Sequence, residues 1–288
     1  MVTMEKKRNI HTFNGFNSEY EDAKIVVFGA PFDGTTSYRP GTRFAPSVMR
    51  NESIGFETYS PYHDEDLTDK KICDVGDVYI PIGNTENTMK AIKKFAKEIV
   101  EDGKIPLMIG GDHLVSYPAI EAVYEKYKDL HLLHFDAHTD LRDTFFGEKL
   151  SHANVIRRAW DFLGDGKIYQ FGIRSGDREE FLWSEKHTHM TKFTYDGLDE
   201  AIEAVKDKPV YVTIDIDILD PSVVPGTGTP EPGGITFKEM LDILLKLKKI
   251  NNIVGGDLVE LAPHYDPTGA SSAVACKLLR EFAFTIHK

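Results

Sequence analysis

The stretch LLHFDAHTD, residues 132–140, decides how this chain folds, because it is typical of a strand that ends in polar side chains. Side chains of a strand alternate between its two faces, so Asp136, His138 and Asp140 point the same way. The run VYVTIDIDILDP at 210–221 places Asp215 and Asp217 in the same pattern. Both runs are rich in the residues of strands that are buried on both faces of a parallel sheet. An unpaired carboxylate there costs several kcal/mol, so we predict that cations offset these aspartates.

A turn with polar residues is the alternative interpretation of DAHTD taken alone, because short motifs also match by chance. A third polar strand end favours a metal site. The strand-like run IPLMI at 105–109 is followed by GGDH at 110–113, which adds the imidazole of His113. The two glycines would allow another backbone segment to approach closely.

The charges of these groups predict two metal ions rather than one. The four aspartates carry a total charge of −4, which two divalent cations balance, and neutral histidines add none. Carboxylates combined with imidazoles favour Mn²⁺, because imidazole argues against Mg²⁺ and Ca²⁺ and the lack of thiolates weakens the case for structural zinc. Iron, cobalt, nickel and catalytic zinc remain alternatives.

The length and composition indicate a globular protein. The chain has 288 residues, of which 41% are hydrophobic and 28% charged, and no linker or repeat divides it, so one domain over 1–288 is expected. No stretch approaches the length of a membrane-spanning helix, and the N-terminus lacks the apolar core of a secretory signal, which predicts a cytosolic location. Cys73 and Cys276 lack CxxC spacing and are expected to be reduced and packed. The net charge of −12 argues against nucleic acid and modestly favours a cationic small molecule, although many cytosolic enzymes are acidic for solubility alone.

Strand-like and helix-like segments alternate along the chain, which is the pattern of an α/β protein with a parallel sheet between helices. The predicted strands are 25–29, 105–109, 131–135, 168–173, 210–218 and 253–259. The predicted helices are 85–102, 117–128, 152–163, 198–206, 236–250 and 270–284. Thr236 and Glu239 form a capping box at the start of one helix, and the preceding stretch 220–234 is interpreted as a structured loop beside the site. Ligands of open α/β sheets bind at the carboxyl ends of the strands, where all the candidate residues lie.

The motifs together resemble the ureohydrolase family of arginases and agmatinases. The resemblance covers nearly the whole chain in order, through GAPFDGTTSYRPGTRFAPSVMR at 29–50, GGDH at 110–113, DAHTD at 136–140, DIDILDPSVVPGTGTPEPGG at 215–234 and GGDLVELAPHYDPTGASSAVA at 255–275. The first of these motifs resembles the agmatinase branch. The resemblance implies a three-layer α/β/α sandwich around a mainly parallel, eight-stranded sheet, assembled as trimers or hexamers.

The same resemblance implies a set of metal ligands. One Mn²⁺ would be held by His113, Asp136, Asp140 and Asp215. The other would be held by Asp136, His138, Asp215 and Asp217, so that Asp136 and Asp215 bridge the two ions.

Three residues resemble the family's substrate and proton-transfer groups. Glu260 resembles the glutamate that binds the guanidinium group, with a salt-bridged strand-end glutamate as the alternative. His152 resembles the proton-shuttling histidine, with a surface histidine at a helix start as the alternative. Asp217 is a second candidate for handling the proton. His134 could face the site, but a packed histidine is the preferred interpretation.

The expected reaction is hydrolysis of agmatine to putrescine and urea. The segment LRDTFFGEKLS at 141–151 lacks the Ser-Gly-Asn stretch with which arginases hold an amino acid's carboxylate, which favours agmatine over arginine. Leu114, Ala153 and Asn154 depart from the family's usual residues and could reshape the pocket wall. The alternatives are guanidinobutyrate, guanidinopropionate, arginine or formiminoglutamate as substrate, or a non-catalytic regulator of the polyamine pathway.

Overall fold

The computed structural model describes residues 11–287 and contains one large sheet. The strands are β1 Ile25–Gly29, β2 Tyr59–Ser60, β3 Glu65–Asp66, β4 Ile72–Asp77, β5 Ile105–Ile109, β6 His131–Phe135, β7 Ile168–Ile173, β8 His189–Lys192, β9 Val210–Asp215 and β10 Ile253–Val259. Eight of them pair in parallel in the order β4-β1-β5-β10-β9-β6-β7-β8, and β2 and β3 form a separate antiparallel pair. The eight-stranded sheet implied by the resemblance is confirmed.

Helices cover both faces of this sheet and form the outer two layers. They are α1 Ala45–Ser53, α2 Thr85–Glu101, α3 Ser116–Lys126, α4 Val155–Leu163, α5 Arg178–His187, α6 Leu198–Val205, α7 Phe237–Leu247 and α8 Ala270–Ile286. One apolar cluster joins α1, α6, α7 and α8 to one face of the sheet, and a second joins α2, α3 and α4 to the other. The three-layer α/β/α sandwich is therefore confirmed. Among residues 11–287, no helix is both long and apolar enough to cross a membrane.

All six predicted strands and all six predicted helices are present, with small differences at their ends. The helix predicted from 152 begins at Val155, after a 3-10 turn over His152–Asn154. The helix predicted from 236 begins at Phe237, because Thr236 is its N-cap and forms the predicted capping box with Glu239. Both cysteines are free and buried, as expected.

The sequence-based assignment missed two strands of the large sheet and two helices. β4 and β8 are the two edge strands, and their partly exposed sequences ICDVGD and HMTK lack the continuous apolar run of a central strand. α1 carries a proline in its first turn, and α5 is mostly polar and buries only Glu180 and Ser184. Their positions depend on packing against the rest of the fold.

The four central strands β5, β10, β9 and β6 are neighbours, and all run in the same direction. Their carboxyl ends therefore lie side by side. The segments that follow them carry GGDH at 110–113, Glu260, Asp217 and DAHTD at 136–140. The fold thus brings to one edge residues that are up to about 150 positions apart in sequence.

Gly111 permits a close backbone approach at this edge. The carbonyl oxygen of Phe32 accepts a hydrogen bond of 2.7 Å from the amide of Asp112, and the carbonyl of Gly111 accepts one of 2.9 Å from the amide of Glu260. A methyl group on Gly111 would lie 1.8 Å from the Phe32 oxygen. The expectation that a glycine of GGDH allows close approach is met at this position.

We expect Gly111→Ala to destabilise the protein by at least about 2 kcal/mol, because the backbone of residue 32 cannot withdraw without losing its hydrogen bond. Gly55→Ala is the control, since its added methyl group would meet nothing closer than 3.4 Å. It should change stability by less than about 0.5 kcal/mol. Urea unfolding measures both, and equal midpoints for the two variants would contradict the assignment.

Candidate active site and metal centre

A cavity of about 260 Å³ opens at the carboxyl edge of the sheet. The lining is formed by residues at the ends of four different strands and by the loops beside them. It includes metal-ligand candidates, aromatic and hydroxyl side chains, and glutamates. These residues include Ser37, His113, His138, Asp140, Arg142, Phe145, His152, Asp177, Asp215, Thr229 and Glu260. The cavity is therefore the candidate active site.

A first group of ligand candidates surrounds the ring of His113. Its Nδ1 lies 3.1 Å from Asp136 Oδ2, 3.1 Å from Asp140 Oδ2 and 3.3 Å from Asp215 Oδ2. All four side chains are buried. Asp140 adopts a left-handed backbone conformation with φ 52°, which turns its carboxylate toward the others.

A second group of ligand candidates shares Asp136 with the first. His138 Nδ1 lies 3.0 Å from Asp217 Oδ2 and 3.5 Å from Asp136 Oδ1. The two oxygens of Asp136 thus face different groups, which is the arrangement of a bridging carboxylate. Asp215 Oδ1 accepts a hydrogen bond of 2.8 Å from the amide of Asp217, so its bridging role remains a prediction.

The His113 ring is oriented as a ligand would be. Its Nε2 lies 3.0 Å from Thr213 Oγ1, and that hydroxyl donates its proton to Asp257 Oδ1 at 2.6 Å. Nε2 must therefore carry the ring's proton, and the lone pair of Nδ1 points at the three carboxylates. Nδ1 is buried and makes no hydrogen bond. A lone pair that faces three carboxylate oxygens without a donor fits a divalent cation. Donor atoms of His113, Asp136 and Asp140 lie within 4.8 Å of one another, as do those of Asp136, His138 and Asp217, so each set could hold an ion.

Protons take the place of cations when no metal is bound. Burial and the nearby Asp136 raise the pKa of Asp140 to about 7, and burial with Asp217 and Asp136 raises the pKa of Asp215 well above its usual value. Burial alone would lower the pKa of His113 and His138, but the surrounding aspartates raise it well above normal in both. The cluster therefore requires positive charge in one form or the other.

Glu260 faces the same cavity and lacks a cationic partner. Its Oε1 accepts a hydrogen bond of 2.7 Å from the amide of His113, and the side chain is buried. Burial and the neighbouring Asp112 raise its pKa well above normal. No lysine or arginine among residues 11–287 pairs with it, so the salt-bridge alternative does not describe this glutamate. Its φ of 65° is strained for glutamate, at a cost of about 1–3 kcal/mol.

His152 lies on the cavity wall, held by residues of the 29–50 loop. The amide of His152 donates to Thr35 Oγ1 at 3.1 Å, and its Nε2 lies 3.4 Å from Ser37 Oγ. Thr35 in turn donates to Asp112 Oδ2 through both its amide and its hydroxyl, at 2.9 and 2.8 Å. Burial lowers the pKa of His152 to about 4, so its ring is neutral near pH 7. It is partly buried, and the interpretation as a surface histidine is therefore not supported.

Comparisons with known proteins agree with this arrangement. The arginase family profile matches residues 23–285. This chain belongs to the arginase family. The agmatinase of Bacillus subtilis is 48% identical over 266 residues, which cover 91% of this chain and 92% of that protein.

Solved structures extend the comparison to the fold of the arginase-family chain. A structure from Clostridium difficile has a TM-score of 0.92 and 53% identity, covering 93% of this chain and 99% of its own. The agmatine ureohydrolase of Thermoplasma volcanium has a TM-score of 0.87 and 36% identity, covering 96% of this chain and 94% of its own. The family assignment made from sequence is confirmed.

Several cavity residues of this arginase-family chain escaped the sequence-based reasoning. Ser37, Arg142, Phe145 and Asp177 belong to loops, where no periodic pattern indicates which way a side chain points. The one available signal was position, since Ser37 lies within the recognised motif at 29–50 and the segment 141–151 directly follows DAHTD.

The three residues that depart from the family pattern have different environments. Leu114 is buried in the apolar cluster under α3 and does not line the cavity. Ala153 lines the cavity. Asn154 is buried and donates to the carbonyl of Arg142 at 2.6 Å, so it braces the loop that carries Arg142. Of the three, only Ala153 can shape the cavity wall directly.

We expect divalent metal to bind more weakly as pH falls below about 7, because Asp140 is then protonated in the metal-free protein. The protonated states of His113 and Asp215 compete in the same direction. Calorimetric titration with Mn²⁺ in buffers of different ionisation enthalpy would detect the released protons. Metal affinity that does not change across neutral pH would contradict the buried, proton-sharing cluster.

Proposed function

We propose that this chain is a binuclear manganese hydrolase that cleaves agmatine to putrescine and urea. The observation that carries the proposal is Glu260, a buried carboxylate that pairs with no lysine or arginine of residues 11–287 and faces the cavity lined by His113, His138, Asp140 and Asp215. A guanidinium group is the planar cation that a carboxylate binds through two parallel hydrogen bonds. The similarity to curated agmatinases supports this substrate.

The metal ligands in this proposal are His113, Asp136, His138, Asp140, Asp215 and Asp217. Their four carboxylates balance two divalent ions, and the mixture of oxygen and imidazole ligands favours Mn²⁺. Bound Mn²⁺ would supply Lewis acidity and make a shared water reactive near neutral pH. The chain's own contribution is to hold these groups at the carboxyl end of β9 and on the segments that directly follow β5, β6 and β9.

Glu260 orients the substrate. Because the amide of His113 donates to Oε1, the carboxylate is held in one orientation, and each of its oxygens keeps a lone pair that can accept from the guanidinium. Binding of the cationic guanidinium there would also offset burial and the charge of Asp112, which together raise the pKa of Glu260. Fixing the guanidinium plane removes most of the orientational freedom that the reaction would otherwise have to restrict.

His152 moves the proton that the departing amine needs. The neutral ring can accept a proton at Nε2, where Ser37 Oγ is its hydroxyl neighbour, and release it to the leaving nitrogen. A ring that burial keeps neutral at rest is suited to this shuttle, because it is ready to accept. Asp217, which lies against His138 and accepts from Thr229 at 3.4 Å, is the second candidate for proton transfer.

The far end of the cavity favours a cationic tail over an anionic one. Among the described residues 11–287, Arg142 is the only arginine that lines the cavity, and it pairs with Asp177 at 3.1 Å and with Glu180 at 3.4 Å. It is therefore not free to bind a substrate carboxylate. Asp177 is 62% exposed at the mouth of the cavity, where it can attract the distal ammonium group of agmatine. Guanidinobutyrate, guanidinopropionate, arginine and formiminoglutamate each carry a carboxylate that this end does not accommodate.

A non-catalytic role in polyamine regulation is the alternative from a different class. The six ligand candidates, Glu260 and His152 are all present in the sequence, and one cavity is lined by His113, His138, Asp140, Asp215, His152 and Glu260, which favours catalysis. A cytosolic location and assembly as a homotrimer or homohexamer remain predictions from sequence.

We expect urea release to be fastest with agmatine among agmatine, arginine, guanidinobutyrate and guanidinopropionate when the Mn²⁺-loaded protein is assayed. Glu260→Gln should lower kcat/KM for agmatine about 100-fold or more, because it removes one partner of a buried charge pair. Urea quantified colorimetrically measures both. The proposal would be contradicted if none of the four compounds released urea.

Two further substitutions separate metal binding from proton transfer. Asp136→Ala should lose both bound Mn²⁺ and turnover, because Asp136 faces both ligand groups. His152→Asn should keep its metal and lose about 10²–10⁴-fold in kcat, the usual contribution of a general acid-base residue. Elemental analysis beside steady-state kinetics tests these roles, and equal metal loss in the two variants would show that His152 is misassigned.

A further inference from the structure

A row of four polar side chains crosses the otherwise apolar centre of the sheet directly beneath the metal-ligand groups. The residues are Asp257 on β10, Thr213 on β9, His134 on β6 and Gln170 on β7. Each is paired in register with the next, as Asp257 with Thr213, Thr213 with His134 and His134 with Gln170, so all four point to the same face. All four are completely buried. We call them the polar row.

Buried polar side chains in a sheet core require a reason, because each one must be fully hydrogen-bonded to avoid a penalty. The two ends of the polar row are satisfied by the fold. Asp257 Oδ2 accepts a hydrogen bond of 2.7 Å from the hydroxyl of Tyr211. Gln170 donates to the carbonyl of Thr139 at 2.9 Å and accepts from the hydroxyl of Thr188 at 3.0 Å. The two middle members, Thr213 and His134, also form hydrogen bonds to the metal-ligand groups, Thr213 with His113 and His134 with Asp136.

The hydrogen bonds of Gln170 determine which nitrogen of His134 carries a proton. Since its amide oxygen accepts from Thr188 and its amide nitrogen donates to Thr139, that nitrogen also faces His134 Nδ1 as a donor, at 3.1 Å. Nδ1 of His134 is thus an acceptor, and the ring's proton resides on Nε2. Nε2 lies 2.7 Å from Asp136 Oδ2 and donates to it.

This tautomer excludes His134 as a metal ligand, although the residue lies close enough to the first group to be considered as one. Both of its nitrogens are occupied, Nδ1 by the amide of Gln170 and Nε2 by its own proton, so neither has a free lone pair. The interpretation of His134 as a packed histidine is correct about its burial and incomplete about its role. Its hydrogen bond holds the carboxylate that faces both ligand groups.

We propose that the polar row positions two of the metal ligands, with Thr213 setting the tautomer of His113 and His134 fixing the carboxylate of Asp136. The inference rests on the proposed metal centre. Thr213 and His134 are positioning residues and touch neither substrate nor metal. Loss of a hydrogen bond of this kind to a metal ligand typically weakens metal binding about 10- to 100-fold.

Paired substitutions at His134 test the proposal. His134→Gln places an amide N–H near the position of Nε2 and can still donate to Asp136, whereas the shorter His134→Asn cannot reach it. We expect His134→Asn to bind Mn²⁺ about 10- to 100-fold more weakly than wild type, and His134→Gln to recover most of that loss. His131→Asn is the matched control, because His131 is in the same strand and its ring lies 3.0 Å from the carbonyl oxygen of Asp129, outside both metal-ligand groups.

A second pair of substitutions tests the role of Thr213. Thr213→Val removes the hydroxyl that accepts from His113, whereas Thr213→Ser retains it. We expect weaker Mn²⁺ binding in Thr213→Val and near-normal binding in Thr213→Ser. The readouts are Mn²⁺ affinity and equivalents bound per chain, together with urea unfolding of the metal-free proteins.

The outcomes distinguish this inference from the proposed function. Wild-type protein that binds no Mn²⁺ would overturn the metal centre itself. Wild-type protein that binds two equivalents, with His134→Asn and Thr213→Val unchanged, would overturn the positioning role alone. If Mn²⁺ affinity merely follows unfolding stability in all four variants, the polar row stabilises the core and has no positioning role. Equal metal loss in His134→Gln and His134→Asn would indicate that His134 is a metal ligand instead.

Discussion

The burial of four carboxylates at one edge of a parallel sheet is the constraint on which the rest of this structure depends. Asp136, Asp140, Asp215 and Asp217 are all buried and lie around the rings of His113 and His138. Uncompensated, such a cluster would be strongly unfavourable, and the raised pKa of Asp140 and of both histidines shows that protons partly compensate it in the absence of metal. Divalent cations satisfy the same requirement and add reactivity.

The surrounding structure holds this cluster in place with backbone and hydrogen bonds. Asp140 and Glu260 adopt left-handed backbone conformations, which cost free energy. Backbone hydrogen bonds hold both residues, since the carbonyl of Asp140 accepts from the amides of Ile156 and Arg157 and the amide of Glu260 donates to the carbonyl of Gly111. Gly111 lets the backbone of Phe32 approach closely, and the loop that contains Phe32 also brings Thr35 into contact with His152. These backbone contacts therefore connect the segments that carry the ligand candidates with the loop that holds His152.

Sequence reasoning succeeded where a regular period governs direction. The parallel sheet places every strand's carboxyl end at one edge, where the ligand candidates lie. Sequence reasoning was incomplete for the ligand candidates themselves, because β6 ends at Phe135 and β9 ends at Asp215, so no strand period directs His138, Asp140 or Asp217. It failed at β4 and β8, since edge strands have no continuous apolar run, and at Phe145 and Asp177, since loops have no period. His134 shows both results, because its direction followed from the strand but its partner Gln170 is 36 residues away on another strand.

By itself, the sequence determined the α/β class, the family and the residues able to bind metal, because these depend on local periodicity and on the chemistry of short motifs. Only the tertiary structure decided which nitrogen of His113 faces the carboxylates, that no lysine or arginine of the described part of the chain pairs with Glu260, and that the polar row lies beneath the site. Those properties are set by contacts between strands that are far apart along the chain. A hydrogen bond across a sheet depends on register and side-chain direction together, and neither can be inferred from one strand alone.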